Sequence, residues 1–134
     1  MMDEKQRAEA HRLLIEVILP ACGHKDAQGI KPLPLENGWC FKLREGHQRM
    51  TKGMVGHVLN VVASVTCNPD GMTVTLKPEA FVVSGPDAER QVGTPPKERT
   101  FRPRAWASDG ELFKLAHDAM VEIVEEFEGI TGAQ

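Results

Sequence analysis

The stretch HVLNVVASVTCNPDGMTVTLKP, residues 57–78, constrains this chain more than any other. Two runs rich in β-branched residues flank Asn68-Pro69-Asp70-Gly71. Proline presets φ for the first corner of a type I turn, and glycine accepts the positive φ that follows. The runs therefore read as a β-hairpin with arms over 57–67 and 72–83. Side chains alternate faces along a strand, so the register is open to argument. With Asn68–Gly71 as the loop, Cys67 faces Met72, Val65 faces Val74 and Ala63 faces Leu76, which gathers the apolar members on one face. A three-residue loop with a glycine bulge would set Val65 opposite Thr75 and mix the faces. Beyond Pro78, EAFVVSG either extends the second arm or forms another short strand, because proline cannot donate within a ladder.

A hairpin with one apolar face needs a cover, and two segments can supply it. In DEKQRAEAHRLLIEVILP, Ala10, Leu13, Leu14, Val17 and Ile18 recur at helical spacing, and Pro20 and Gly23 stop the helix. In SDGELFKLAHDAMVEIVEEFEG, Ser108 and Glu111 have capping-box spacing. Leu112, Leu115, Ala116, Ala119, Met120, Ile123 and Phe127 form a stripe there, and Gly129 suits the C-cap. WCFKLRE alternates, with Trp39, Phe41 and Leu43 on one face, as in a half-buried strand. GHKDAQGIKPLPLENG reads as loop, and so does the proline-rich stretch from Gly85 to Arg104. The expectation is an α+β fold. Its small antiparallel sheet includes the central hairpin (57–67/72–83), packed against N- and C-terminal helices in one domain over residues 1–134. Leu13, Leu14, Val17, Val65, Val74, Leu115, Ala119 and Ile123 should form the core.

Composition removes several classes. At 41% hydrophobic and 26% charged residues the chain has an ordinary globular balance. No apolar run is long enough to span a bilayer, and acids among the first twenty residues argue against a secretory leader, so the cytoplasm is the default compartment. Three irregularly spaced cysteines do not make a disulfide framework. The net charge of −3 is uneven. Residues 41–104 hold ten basic and six acidic groups, whereas residues 105–134 hold Lys114 against seven acids. The stretch LPLENGWCFKL in such a small acidic chain resembles class I secretion chaperones. That likeness covers a dozen residues without a diagnostic motif and fails in the central region, so no family is assigned from it.

Chemistry-bearing motifs are sparse. Cys22, His24, Cys40 and His47 match no common zinc spacing, so neither a metal nor a cofactor is expected. Walker, Gly-x-Gly-x-x-Gly and Gly-x-Ser-x-Gly patterns are absent from the chain. REGHQRMTKGMVGH carries His47 and His57, each after glycine, but the residues after them do not repeat the His-x-Thr/Ser pattern of two-histidine phosphoesterases. That stretch reads as a flexible connection into the hairpin.

KERTFRPRAW keeps a functional reading open. Lys97, Arg99, Arg102 and Arg104 interleave with Phe101 and Trp106, a pairing found in protein-recognition hot spots and in single-stranded nucleic-acid sites. The first expectation is a non-catalytic adaptor or inhibitor that binds another protein through these six residues, with the arginines on a different face from the acidic last helix. A nucleic-acid module using residues 97–106 is the alternative, and a small histidine-based enzyme the third. The bland counterpart is a loop whose arginines pair with Glu122, Glu125 or Glu126. Motif-free short chains are also frequent among phage and mobile-element proteins. The sequence leaves oligomeric state open.

Overall fold

The structure is a computed structural model that describes residues 3–23, 31–51, 55–84, 89–91 and 95–132. Within these ranges the side chains of residues 44–51, 55–56, 83–84, 89–91 and 130–132 are not described. Six strands form one antiparallel sheet: β1 (Leu33–Leu35), β2 (Gly38–Thr51), β3 (Val55–Asn68), β4 (Gly71–Ser84), β5 (Glu89–Gln91) and β6 (Arg99–Phe101). The order is β1-β2-β3-β4-β5, and β6 also pairs with β4. Helices precede and follow the strands, so the fold is α+β with N- and C-terminal helices, as expected.

The hairpin has the register argued from its pattern. Cys67 lies opposite Met72, Val65 opposite Val74 and Ala63 opposite Leu76. Pairing continues to Asn68 opposite Gly71, so Pro69 and Asp70 alone form the turn, and Gly71 takes φ +132°. Pro78 stays within β4. It falls between the stretch paired with β6 (Val74–Leu76) and the stretch paired with β5 (Phe81–Val83), where neither short strand asks for its missing N–H.

REGHQRMTKGMVGH is not a connection leading into the hairpin. Its two ends are strand: β2 runs to Thr51, β3 begins at Val55, and His47 stands opposite His57. The glycines weaken local strand preference, and the register shifts between His47 and Thr51. Pairing along the rest of β3 overrides them. Two other segments read as loop also contain strands. β1 lies within the proline-rich run before Trp39, where Pro34 is tolerated because β1 is an edge. Gly38 opens β2 so close to β3 that a Cβ there would stand 2.0 Å from the Val65 carbonyl oxygen. β5 and β6 lie within the stretch from Gly85 to Arg104.

One face of the sheet carries the core. Phe41 and Leu43 of β2, Leu59, Val61, Ala63 and Val65 of β3, and Val74, Leu76 and Ala80 of β4 are buried there. The other face presents Ser64, Thr66, Thr73, Thr75 and the exposed Lys42 and Lys77 toward the hairpin turn, as antiparallel sheets with one wet face do, while Val58 and Asn60 further along it are buried. The N-terminal helix lies over β2 and β3 and the C-terminal helix meets β4.

The N-terminal helix starts with a reciprocal cap: the Asp3 carboxylate accepts the Gln6 N–H at 2.7 Å, and the Gln6 amide oxygen accepts the Asp3 N–H at 3.1 Å. It runs as Glu4–Leu13, a π-helical turn Leu14–Ile18, and Leu19–Ala21. Pro20 has no N–H to give, and its ring would collide with the carbonyl four residues back in a regular helix. The widened turn just before it accommodates the ring. Leu19 donates to the Leu14 carbonyl, and the helix continues past Pro20 rather than stopping there. Gly23, at φ +92°, ends it.

The C-terminal helix, Asp109–Gly132, runs through Gly129 rather than capping there. Ser108 Oγ accepts the Glu111 N–H at 3.2 Å, while the Glu111 carboxylate accepts from Ala107, one residue beyond the usual box partner. Leu112, Ala116, Ala119, Met120, Ile123 and Phe127 are buried. Leu115 is the exception among the expected core residues, being only half-buried. At 3.6 residues per turn it sits about a quarter turn from the centre of that stripe. Ile123→Ala should therefore destabilise the protein by about 2–5 kcal/mol in urea unfolding, and Leu115→Ala by less than about half as much.

Candidate functional site

The segment from Lys97 to Trp106 is fastened to the body at four places. β6 pairs with β4, with Arg99 opposite Leu76 and Phe101 opposite Val74. Phe101 and Trp106 pack half-buried against the core cluster. Between them Pro103 lies against the hairpin turn: a Cβ on Gly71 would stand 3.1 Å from the Pro103 Cβ. Finally the Lys97 N–H donates to Glu126 Oε2 at 2.9 Å, although the Lys97 side chain is exposed.

The cations divide into two groups. Arg99 reaches the C-terminal helix, donating to Glu126 Oε1 at 2.6 Å and lying 3.5 Å from Glu122 Oε2. It also donates to the Lys97 carbonyl, and its side chain is only 17% exposed. The expected separation of the arginines from the acidic helix thus fails at Arg99, because β6 runs beside that helix. The Lys97 N–H, with Arg99 next, holds the Glu126 carboxyl below the usual carboxylate range. Arg102 and Arg104 are both exposed, and neither is an ion-pair partner among the described residues.

Arg102-Pro103-Arg104-Ala105 forms a tight turn in which the Ala105 N–H donates to the Arg102 carbonyl at 3.1 Å. Proline in the second position and φ +73° at Arg104 in the third match a type II turn. Glycine or asparagine ordinarily fills that third place, since a side chain in the left-handed region costs roughly 1–2 kcal/mol. Arg104 is the one non-glycine residue with positive φ among the described residues. The prolines mark this stretch only as loop; the Gly71–Pro103 contact and the turn are not visible locally.

A second feature escaped the sequence. Trp39 donates its indole N–H to the Arg7 carbonyl at 3.1 Å, the Arg7 guanidinium stands 4.6 Å over its ring, and His11 meets it edge-on at 5.0 Å. These three, with Glu4 and Ala8, line an open groove of about 350 Å³. Nearby Arg12 ties the helices together, donating to Glu9 and, at 2.9 Å, to Asp109. Hydrogen bonding to Arg12 lowers the pKa of both carboxyls.

The histidines do not form a shared site among the described side chains. His11 abuts Trp39, and His117 Nδ1 lies 3.4 Å from the Ala21 carbonyl oxygen. His57 is 2% exposed, and neither ring nitrogen has a hydrogen-bond partner among the described residues. His24 lies outside the described residues, as does the side chain of His47. Cys22 is buried and Cys40 half-buried, and burial raises the Cys40 thiol pKa. No group of three or more His, Cys, Asp or Glu among the described residues could hold a metal ion. No helix among them is long and apolar enough to cross a membrane.

Comparison with known proteins adds no relative: no family model, no curated protein and no solved structure matches the chain.

Arg99→Met should lower stability by about 1 kcal/mol, because its partners Glu122 and Glu126 face solvent that screens the pairing, whereas Arg102→Ala stays within about half a kcal/mol. Because Glu126, Glu9 and Asp109 have depressed folded-state pKa values, their contribution is complete at neutral pH and lost as pH falls through and below the usual carboxylate range. Thermal melts from pH 6 to pH 2.5 should show this loss, with a shallower fall in Arg99→Met. Separately, His57→Leu removes two unpaired buried nitrogens and should stabilise the protein by up to about 2 kcal/mol in urea unfolding.

Proposed function

We propose that this chain is a non-catalytic binding protein of adaptor or inhibitor type, acting in the cytoplasm by protein–protein recognition through the Arg102–Arg104 turn. The observation that carries this reading is the presentation of the turn. Two exposed guanidiniums stand on backbone held by β6, the Gly71–Pro103 contact and two core-anchored rings. A turn already fixed loses little conformational freedom on binding, so more of its contact energy becomes affinity. Arginine is also among the side chains that dominate recognition surfaces.

The same anchoring favours a protein partner over nucleic acid. Phe101 and Trp106 pack on the core cluster, where they do not serve as stacking platforms for bases. Arg99 is engaged by Glu122 and Glu126, and their helix would repel a phosphate backbone nearby. The binding contribution of the original six residues thus concentrates on Arg102 and Arg104, with Lys97 at the margin and Arg99, Phe101 and Trp106 positioning the turn.

A photo-crosslinking residue at the exposed Ala105, used in extracts of the native host, tests this. The wild-type turn should capture a discrete protein, and the Arg102→Ala/Arg104→Ala variant should lose it while its thermal midpoint stays within a few degrees. Capture that survives the double substitution would move the recognition surface elsewhere.

A further inference from the structure

Arg104 occupies the place in its turn where a side chain is least welcome. The Arg102 carbonyl to Ala105 N–H bond and the ring of Pro103 close a type II geometry, which requires positive φ at Arg104. Glycine would close the same turn without strain. Inside the protein nothing among the described contacts compensates: the side chain is exposed and donates to no described residue. Every other arginine whose side chain is described, Arg102 apart, has a partner within the fold: Arg7 lies over the Trp39 ring. Arg12 takes Glu9, Glu16 and Asp109, and Arg99 takes Glu122 and Glu126. A residue that breaks a local rule without an internal gain points to a gain outside the chain.

We infer that the surface recognised by this turn is an acidic protein segment, whose neighbouring carboxylates are taken by the guanidiniums of Arg104 and Arg102. This rests on the protein-recognition reading above and specifies the chemistry of the partner. A guanidinium presents its donors in a planar fork that matches a carboxylate with two parallel hydrogen bonds. Two forks separated by Pro103 fit a run of acidic side chains better than one isolated charge. A carboxylate partner is also favoured over a polyphosphate. A short acidic segment meets the field of the C-terminal helix over a few residues only, whereas a nucleic acid carries charge along its whole length beside Glu122 and Glu126. The left-handed backbone at Arg104 sets where its side chain leaves the turn, so the strain is the consequence of holding an arginine, and not a glycine, at the tip.

The test uses a fluorescein-labelled dodecapeptide of alternating glutamate and glycine, and oligothymidylate of matched charge, with anisotropy read at physiological salt. The peptide should bind the wild-type protein, and Arg104→Gly should weaken it by at least about tenfold while raising the thermal midpoint, because glycine relieves the turn. Arg102→Ala should weaken it with the midpoint unchanged. Three results would overturn the inference: no peptide binding, binding that Arg104→Gly leaves intact, or oligothymidylate binding more tightly than the peptide. A lower midpoint in Arg104→Gly would make the arginine a structural residue, and overturn it as well. The crosslinking capture separates the two levels. Capture that depends on Arg102 and Arg104 without peptide binding leaves protein recognition standing and removes the acidic partner, whereas loss of both removes the turn as a recognition site.

Discussion

The pairing of Val65 with Val74 across the β3–β4 hairpin is the constraint on which the rest of the molecule depends. Because side chains alternate with a period of two, this one pairing assigns every residue of both strands to a face. It sends Val61, Ala63, Val65, Val74 and Leu76 toward the helices and leaves Ser64, Thr66, Thr73 and Thr75 on the opposite side. A slip by one residue would put threonines under the helices. Both neighbours inherit the register: β2 aligns Phe41 opposite Ala63, and β6 aligns Phe101 opposite Val74, so each adds an aromatic ring to the same core. The hairpin turn extends this influence to the candidate site, since Gly71 leaves the space into which Pro103 packs.

The two helices complete the layer by different means. The C-terminal helix has a regular stripe from Leu112 to Phe127 and a side-chain cap at Ser108, so its packing follows from its periodicity. The N-terminal helix must accommodate Pro20. Its π-turn keeps Leu14, Val17, Ile18 and Leu19 all buried, although a strictly regular helix would have to be kinked or broken there. Arg12 then joins the start of one helix to the middle of the other through Asp109. Exposed ion pairs of this kind add little stability individually.

Charge in this protein is divided between holding and presenting. A basic middle and an acidic end, read from composition alone, are compatible with complete internal neutralisation or with an open cationic surface. The fold does some of each. β6 pairs with β4 beside the C-terminal helix, and that position alone decides that Arg99 meets Glu122 and Glu126. Three residues further on, the chain has turned away around Pro103, and Arg102 and Arg104 emerge on the outside. Residues of one type, within one short segment, thus acquire different roles through their distance from Glu122 and Glu126, eighteen or more residues later in the chain.

Sequence by itself determined the elements whose cause is local. The Pro-Asp turn, the hairpin register, both helices, the Ser108 cap and most of the core follow from periodicity and turn chemistry carried within the segments concerned. Sequence also marked out residues 97–106 as unusual. Only tertiary structure decided what depends on a neighbour distant in the chain. The glycine-rich run around His47 and the proline-rich run around Pro34 look irregular alone, yet each is strand because β3 or β2 supplies the hydrogen-bonding partner. β6 exists for the same reason, along the outer edge of β4. Which arginine is bound and which is free, and that Arg104 sits at a left-handed corner, depend on how Gly71, Pro103 and Glu126 meet in space. A backbone donor or a guanidinium finds its acceptor by proximity, and proximity between residues far apart in sequence is set by folding.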